Sequence, residues 1–204
     1  MSWLGRIKFK RNKYRNKDLS YLIGVLLGDG FVTEPSKRGN YRVGLQTVSK
    51  EFAQRFKKTL ANIGLHPCSY LIEKSKENPK WQNQYVIEAT SKRFVNWYKK
   101  LALDDIKKWV LRKEFIEGFY ESEGSLQHRT KNCWRIQIYN SCLNKIKLIS
   151  DFLANRKFKT SVYSTKRKNK QREYDLTILG GQVETERFFK IFHPTIKNLK
   201  LSLG

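Results

Sequence analysis

LIGVLLGDG at residues 22–30 and IEGFYESEG at residues 116–124 share one pattern, a helical run that ends on an acid followed by glycine. The two final acids, Asp29 and Glu123, are separated by 94 residues. A single copy would be typical of any helix that ends with a glycine beside an exposed acid. Recurrence within a longer repeated pattern indicates instead that the chain contains two copies of one structural unit.

The composition is strongly basic. The chain has 204 residues, with 42 Lys and Arg against 18 Asp and Glu and a formal net charge of +24. Such a charge favours a polyanionic partner, most commonly nucleic acid. No run approaches the roughly 18 apolar residues of a transmembrane helix, and no signal-peptide pattern opens the chain. We therefore expect a soluble intracellular protein, of undetermined compartment, without a membrane partner. The three cysteines and three histidines show no ligand-like spacing, which argues against a disulfide framework or a zinc site.

The repeated unit reads as helix, strand, strand, helix, strand, strand, helix, or αββαββα. Alternating apolar and polar residues predict strands at YRVGLQT (41–47) and WRIQIYN (134–140), 93 residues apart. Ser49 and Ser91 are expected to cap the helices that follow. The predicted division is a basic arm at 1–17, a first repeat at 18–103, a join at 104–111, and a second repeat with its tail at 112–204.

Small residues four positions apart line one face of each motif helix, and they allow two helix backbones to approach closely. We expect the two motif helices to pack on each other along Gly24, Gly28, Gly118 and Ser122. If they do, Asp29 and Glu123 emerge close together at the same end.

Two carboxylates at helix C-termini are disfavoured by mutual repulsion and by the negative end of the helix dipole. A hard divalent cation, most naturally Mg²⁺, would neutralise Asp29 and Glu123 and could also take the carbonyl oxygens of Gly28 and Ser122 as ligands. A lysine is the alternative cation. The neighbouring Glu117 and Glu121 have no acidic equivalents in the first motif and are interpreted as structural or surface groups.

The two motifs resemble the signature motifs of the LAGLIDADG homing endonucleases, in the single-chain form that carries both copies. This resemblance implies an α+β fold with two pseudo-symmetric αββαββα repeats, each with a four-stranded antiparallel sheet, which together form a DNA-binding saddle. It also implies that Asp29 and Glu123 bind Mg²⁺, with Mn²⁺ or Ca²⁺ as possible occupants. Hydrolysis of one phosphodiester on each strand of a long recognition site would leave short 3′ overhangs. Members of this form act as monomers and are often encoded within introns.

The same resemblance points to a Gln or Asn that positions water at the end of the second strand of each repeat. In register this role falls on Thr47 and Asn140, with Gln46 as the alternative in the first repeat. Leu27 stands where the family motif is usually acidic, at a position that is not a metal ligand. No basic residue near the scissile phosphate can be assigned in the fourth-strand stretches YVIEAT (85–90) and YDLTIL (174–179).

Strand alternation predicts the residues that face DNA. Arg42 and Gln46 point outward from the second strand of the first repeat, and Arg135, Gln137 and Tyr139 from its counterpart. Arg and Gln suit bidentate contacts with guanine and adenine, although an ordinary solvated sheet face would carry the same residues. The predicted hairpin tips carry further bases that would grip phosphate: Lys37, Arg38, Arg129, Lys131, Lys166, Arg167, Lys168, Lys170 and Arg172.

The leading hypothesis from sequence is a site-specific endonuclease that makes metal-dependent double-strand breaks in DNA. The alternatives are an RNA maturase, which would bind RNA, and a non-cleaving DNA-binding protein on the same scaffold. Acids at the ends of both motifs favour the enzyme, because carboxylates hinder the binding of a polyanion unless a metal offsets them.

Overall fold

The computed structural model describes residues 13–35, 40–107, 112–130, 133–165 and 172–198. The first half contains α1 (Lys13–Leu27), β1 (Phe31–Thr33), β2 (Arg42–Thr47), α2 (Lys50–Asn62), β3 (Cys68–Ile72), α3 (Lys74–Glu77), β4 (Gln84–Thr90), α4 (Lys92–Tyr98) and α5 (Leu103–Lys107). The second half contains α6 (Lys113–Glu123), β5 (Gly124–Thr130), β6 (Cys133–Asn140), α7 (Leu143–Ala154), β7 (Thr160–Thr165), β8 (Glu173–Ile178) and α8 (Gly181–Ile191).

Each half forms one four-stranded antiparallel sheet, and the strand order is the same in both. The first sheet has the order β1-β2-β4-β3 and the second has the order β5-β6-β8-β7. The α+β class and the two pseudo-symmetric repeats predicted from the sequence are thus confirmed.

Two helices of the first half, α2 and α4, begin where the predicted serine caps place them, whereas α1 begins earlier than predicted. The hydroxyls of Ser49 and Ser91 accept hydrogen bonds from the backbone of Phe52 and Phe94, and so cap α2 and α4. Helix α1 begins at Lys13, within the predicted basic arm at 1–17, rather than in the first repeat at 18–103. Its first turns are polar, so they lack the apolar pattern on which the prediction depended.

The helices α1 and α6, called the motif helices below, pack against each other at the centre of the molecule. A Cβ atom on Gly24 would overlap the carbonyl oxygen of Phe115, and one on Gly118 would overlap the carbonyl oxygen of Tyr21. The two contacts are equivalent under the 94-residue offset, as a pseudo-two-fold axis requires. Fully buried side chains from both helices extend this contact into the core: Leu22, Ile23, Val25, Ile116, Phe119 and Tyr120.

Candidate active site at the ends of the motif helices

The two motif acids lie together where the motif helices end. Asp29 follows α1 by two residues, and Glu123 is the last residue of α6. Gly28 provides the close approach, since a Cβ atom at this position would lie 2.9 Å from Cγ of Glu123. The carboxylate of Asp29 is near enough for its charge to act on Glu123. One site is therefore built from equivalent residues of the two halves.

Burial and like charge make this carboxylate pair electrostatically unfavourable. The pKa of Glu123 is raised to about 7, first by burial and then by the negative charge of Asp29. The hydrogen bond from Asn140 and the charges of Lys145 and Lys197 act in the opposite direction. The pKa of Asp29 is also raised, because its carboxyl is partly withdrawn from water although the residue is exposed, and the charge of Lys197 partly offsets that effect. A cation that entered between the carboxylates would relieve both penalties.

Of the residues expected to position water, Asn140 forms a hydrogen bond with one of the two motif acids. Its Nδ2 donates a hydrogen bond of 2.8 Å to Oε1 of Glu123, and its Oδ1 accepts one of 2.9 Å from the backbone N–H of Cys142. The first-half candidates make their hydrogen bonds elsewhere. Thr47 Oγ1 accepts from the N–H of Ser49, and Gln46 donates to Gln84 across the sheet.

Two lysines that sequence reasoning did not single out reach the ends of the motif helices. The ammonium of Lys197 donates hydrogen bonds of 2.7 and 2.9 Å to the carbonyl oxygens of Glu121 and Ser122. The ammonium of Lys145 donates one of 2.5 Å to the carbonyl oxygen of Leu27. Leu27 and Glu121 are equivalent under the 94-residue offset. The need for a cation near the acids was foreseeable, but nothing in the sequence separates these two lysines from the other basic residues.

The donor set at this site fits a hard divalent ion. Within the part of the chain that the structure describes, no cluster of three or more His, Cys, Asp or Glu side chains could hold a metal ion. Asp29 and Glu123 would supply two carboxylates, with the carbonyls of Gly28 and Ser122 as candidates beside them. The Ser122 oxygen already accepts a hydrogen bond from Lys197, but a carbonyl oxygen has a second lone pair. Mg²⁺ tolerates such a sparse protein site because it keeps several waters or takes phosphate oxygens.

On the first sheet, two of the predicted DNA contacts are exposed and engaged with neighbours. Arg42 forms an ion pair of 3.3 Å with Glu88 on the adjacent strand. Gln46 donates its hydrogen bond of 2.5 Å to the Gln84 side chain. Both side chains lie at the surface of the sheet, as the alternation predicts.

On the second sheet, two of the three predicted contacts, Gln137 and Tyr139, belong to a hydrogen-bonded network. Gln137 is only 4% exposed, and its Nε2 donates to Asp175 at 2.9 Å and Thr177 at 3.2 Å. The Tyr139 hydroxyl donates to Gln137 Oε1 at 2.9 Å. Arg135 is half-buried beside them. Gln137 thus shares a sheet face with Arg135 and Tyr139, but its amide nitrogen is already occupied.

Most predicted phosphate-gripping residues lie outside what the structure describes. Arg172 is exposed at the start of the described segment that leads into β8. Arg129 lies in β5, but its side chain is outside the description. The others fall entirely on residues not described: Lys37, Arg38, Lys131, Lys166, Arg167, Lys168 and Lys170.

Among the described helices, none combines the length and apolarity needed to cross a bilayer.

The relatives of this chain include characterised and uncharacterised proteins. It is 34% identical over 165 residues to the uncharacterized protein MJ0314 of Methanocaldococcus jannaschii, which covers 77% of this chain and 61% of that relative. It is 25% identical over 150 residues to the homing endonuclease I-DmoI of Desulfurococcus mucosus, covering 71% of this chain and 73% of I-DmoI. The chain spans only 61% of MJ0314 and 53% of the similar MJ0398.

Solved structures with the same fold include a homing endonuclease and a domain of another protein. The crystal structure of I-DmoI in complex with DNA and Mn superposes with a TM-score of 0.64 at 18% identity, covering 87% of this chain and 97% of that one. The N-terminal LAGLIDADG domain of DUF199/WhiA superposes with a TM-score of 0.61 at 13% identity, covering 92% of this chain and 87% of that one. At these identities the likeness concerns the fold alone.

The sequence model of one family, described as the LAGLIDADG-like domain, matches this chain twice, over residues 16–101 and 111–192. The two matches each contain one motif helix and one sheet, as described above. Because they cover most of the chain, this protein belongs to the LAGLIDADG-like family, in the form that carries both copies in a single polypeptide.

Proposed function

We propose that this protein is a site-specific endonuclease that cleaves both strands of double-stranded DNA with the help of a divalent metal ion. It acts as a monomer, because the two copies of the motif already reside in one chain. The substrate is a long duplex site, and the products carry short 3′ overhangs. The homing endonuclease name and the DNA-bound structures of I-DmoI, with Mn and with Ca, support this proposal by homology.

The observation that carries the proposal is the meeting of Asp29 and Glu123 at one end of the motif helices, in a chain of net charge +24. A protein that only bound a polyanion would gain nothing from two carboxylates at its centre, since they repel phosphate. Together with a divalent cation, the same carboxylates become a site that attracts phosphate. The arrangement therefore favours phosphodiester hydrolysis over binding alone.

The side chains of this site have different proposed roles. A bound Mg²⁺ would polarise the phosphate and lower the pKa of a coordinated water. Asp29 and Glu123 would hold the ion, and Asn140 fixes Oε1 of Glu123 through its hydrogen bond of 2.8 Å. Asn140 in the second half, and Thr47 or Gln46 in the first, orient water near the scissile phosphates.

The sheet surfaces bind the duplex. Arg42, Gln46, Arg135 and Tyr139 would face the major groove, and the basic hairpin tips would contact phosphates. Gln137, which is only 4% exposed, would support Tyr139 through their hydrogen bond. Binding through several phosphates should weaken steeply with salt, with a log–log slope of about −0.9 for each phosphate neutralised.

The test is a cleavage-site selection from a random pool of duplex DNA, followed by cleavage of the selected site with Mg²⁺ and with EDTA. The Asp29→Asn, Glu123→Gln double variant removes the charge of both proposed ligands with little change in shape. Glu186→Gln, on the exposed side of α8, is the matched control for the loss of an acid. We expect cleavage by the unmodified protein and the control in Mg²⁺ only, and none by the double variant.

Cleavage in EDTA, or full activity of the double variant, would refute the proposed site. The maturase alternative would be favoured if this protein bound structured RNA more tightly than any selected duplex at the same salt concentration and cleaved neither.

A further inference from the structure

A segment that follows α8 reaches back to the motif helices. This segment, residues 192–198, is called the strap below, and it forms several hydrogen bonds with α6. The backbone N–H groups of His193 and Thr195 donate to Glu117 and Glu121 respectively. The Tyr120 hydroxyl donates a hydrogen bond of 2.8 Å to the carbonyl oxygen of Lys197. The strap therefore runs along α6 towards the carboxylate site.

A buried charge cluster holds the strap to both halves of the molecule. Glu117 and Glu121 are only 3% and 1% exposed, and both form ion pairs with Arg55 of α2. The Arg55 guanidinium also donates to Thr195 Oγ1 at 3.2 Å and to the carbonyl oxygen of His193 at 3.3 Å. Buried charges destabilise a protein unless they are paired and hydrogen-bonded, so this cluster strongly favours the docked strap.

The first motif helix has no counterpart of this cluster. The positions equivalent to Glu117 and Glu121 are Ile23 and Leu27, which are buried and apolar. A pseudo-symmetric core would have been simpler to pack with apolar residues on both sides. The departure from symmetry coincides with the docking of the strap, because both acids accept hydrogen bonds from its backbone N–H groups.

The backbone of Lys197 adds an independent observation. Its φ is 56°, in the left-handed region that lysine adopts at an energetic cost. Non-glycine residues remain in this conformation where the surroundings hold them, and they are concentrated at functional sites. Here the conformation directs the ammonium to the carbonyl oxygens of Glu121 and Ser122, at the end of α6.

The role of Lys197 has a parallel on the other motif helix. Lys145, from α7, donates to the carbonyl oxygen of Leu27, which is equivalent to Glu121. It lies in the first turn of α7, where a positive charge is unfavourable for the helix dipole. Two unrelated elements therefore each bring an ammonium group to the same point of the two motif helices.

We propose that Lys197 is a positioning residue of the endonuclease site, and that the strap and the Arg55 cluster exist to place it. This inference rests on the proposed function. By holding the carbonyl oxygens of Glu121 and Ser122, Lys197 fixes the last turn of α6 and with it the Glu123 carboxylate. Its ammonium also lies close enough to Asp29 and Glu123 for its charge to act on both. The site thus includes residues from beyond the last helix of the second repeat.

The test compares Lys197→Gln, Lys197→Asn and Lys197→Arg with Lys190→Gln, an exposed lysine of α8. Asparagine suits the left-handed backbone, so Lys197→Asn guards against a variant that fails to fold. We expect single-turnover cleavage of pre-bound DNA to slow by about tenfold or more in the Gln and Asn variants, since hydrogen bonds from a charged donor are lost. Affinity for DNA in EDTA should change less than about twofold, because the strap contacts α6 rather than the sheet faces. Lys197→Arg should recover part of the rate.

Cleavage at the unmodified rate by Lys197→Gln would overturn the inference and leave the proposed function standing. An equal loss in Lys190→Gln would also overturn it. If the unmodified protein cleaves no duplex, the proposed function fails, and amide hydrogen exchange still decides the positioning role. Exchange over residues 118–124 should then increase selectively in Lys197→Gln, whereas an unchanged rate, or an equal increase over the whole chain, would refute it.

Discussion

Replacing Glu123 with Gln should stabilise the metal-free protein at high pH. The pKa of Glu123 is raised to about 7 from an ordinary 4.5, so folding penalises its ionised form. Between these two values the folded state binds more protons than the unfolded state. The stability of the unmodified protein therefore falls as the pH rises from about 4.5 to about 7, and above that the penalty is complete. Gln keeps the acceptor for Asn140 and carries no charge.

The size of the effect follows from the shift in pKa. At 1.36 kcal/mol per unit, the upper limit is about 3 kcal/mol, and solvent screening at this partly exposed carboxyl reduces it to about 2 kcal/mol. We expect Glu123→Gln to exceed the unmodified protein by this amount at pH 8, and to be nearly equal to it at pH 4.5. For a chain of this length, the difference corresponds to an increase in Tm of about 4–8 °C.

The measurement is urea unfolding followed by circular dichroism, in EDTA and low salt, at pH 4.5 and pH 8. Glu186→Gln, which removes an exposed acid of α8, should show no such pH-dependent difference. A Glu123→Gln protein that is less stable than the unmodified one at pH 8, or a difference independent of pH, would refute the electrostatic account of the site.

Three further predictions concern the metal, the helix contact and the buried cluster. Millimolar Mg²⁺ at pH 8 should raise the Tm of the unmodified protein, because the ion binds the folded state, and should leave Glu123→Gln almost unchanged; equal shifts would argue against a metal at these acids. Gly118→Ala should lower the free energy of unfolding by about 2 kcal/mol or more, since its methyl group would overlap the backbone of Tyr21; a neutral result in urea unfolding would contradict the close helix contact. Arg55→Met removes the guanidinium that both buried carboxylates share and should cost about 3–5 kcal/mol, whereas Lys99→Met, which breaks the exposed pair with Glu34, should cost less than about 1 kcal/mol. Comparable losses of stability in these two variants would contradict the conclusion that the Arg55 cluster behaves as a buried charge cluster.

Much of the fold follows from local patterns in the sequence. Alternation predicted β2 and β6, and serine caps predicted the starts of α2 and α4, because these signals depend on neighbouring residues. The 94-residue repeat predicted two equivalent units, and the small residues of the motifs predicted which helices would meet.

The burial and the bonding partners of individual side chains are harder to predict from the sequence. Alternation assigned Gln137 to the outward face of its strand, but its burial and its bonds to Asp175 and Thr177 depend on the neighbouring strand. The sequence does not distinguish a structural from a surface role for Glu117 and Glu121. Their partner Arg55 is 62 and 66 residues away, and no spacing rule connects them.

The amino-acid sequence is sufficient to predict the two-fold repeat, the contact between the motif helices and the acids at their ends. Periodicity and repetition are properties of the chain that survive without knowledge of the packing. The cations that approach those acids cannot be predicted in this way, since Lys145 and Lys197 reach the site from α7 and from the strap. The physical reason is that an ammonium group on a long, flexible side chain has no local signature. Its position is set by the docking of distant segments, which in turn depends on buried charges drawn from both halves.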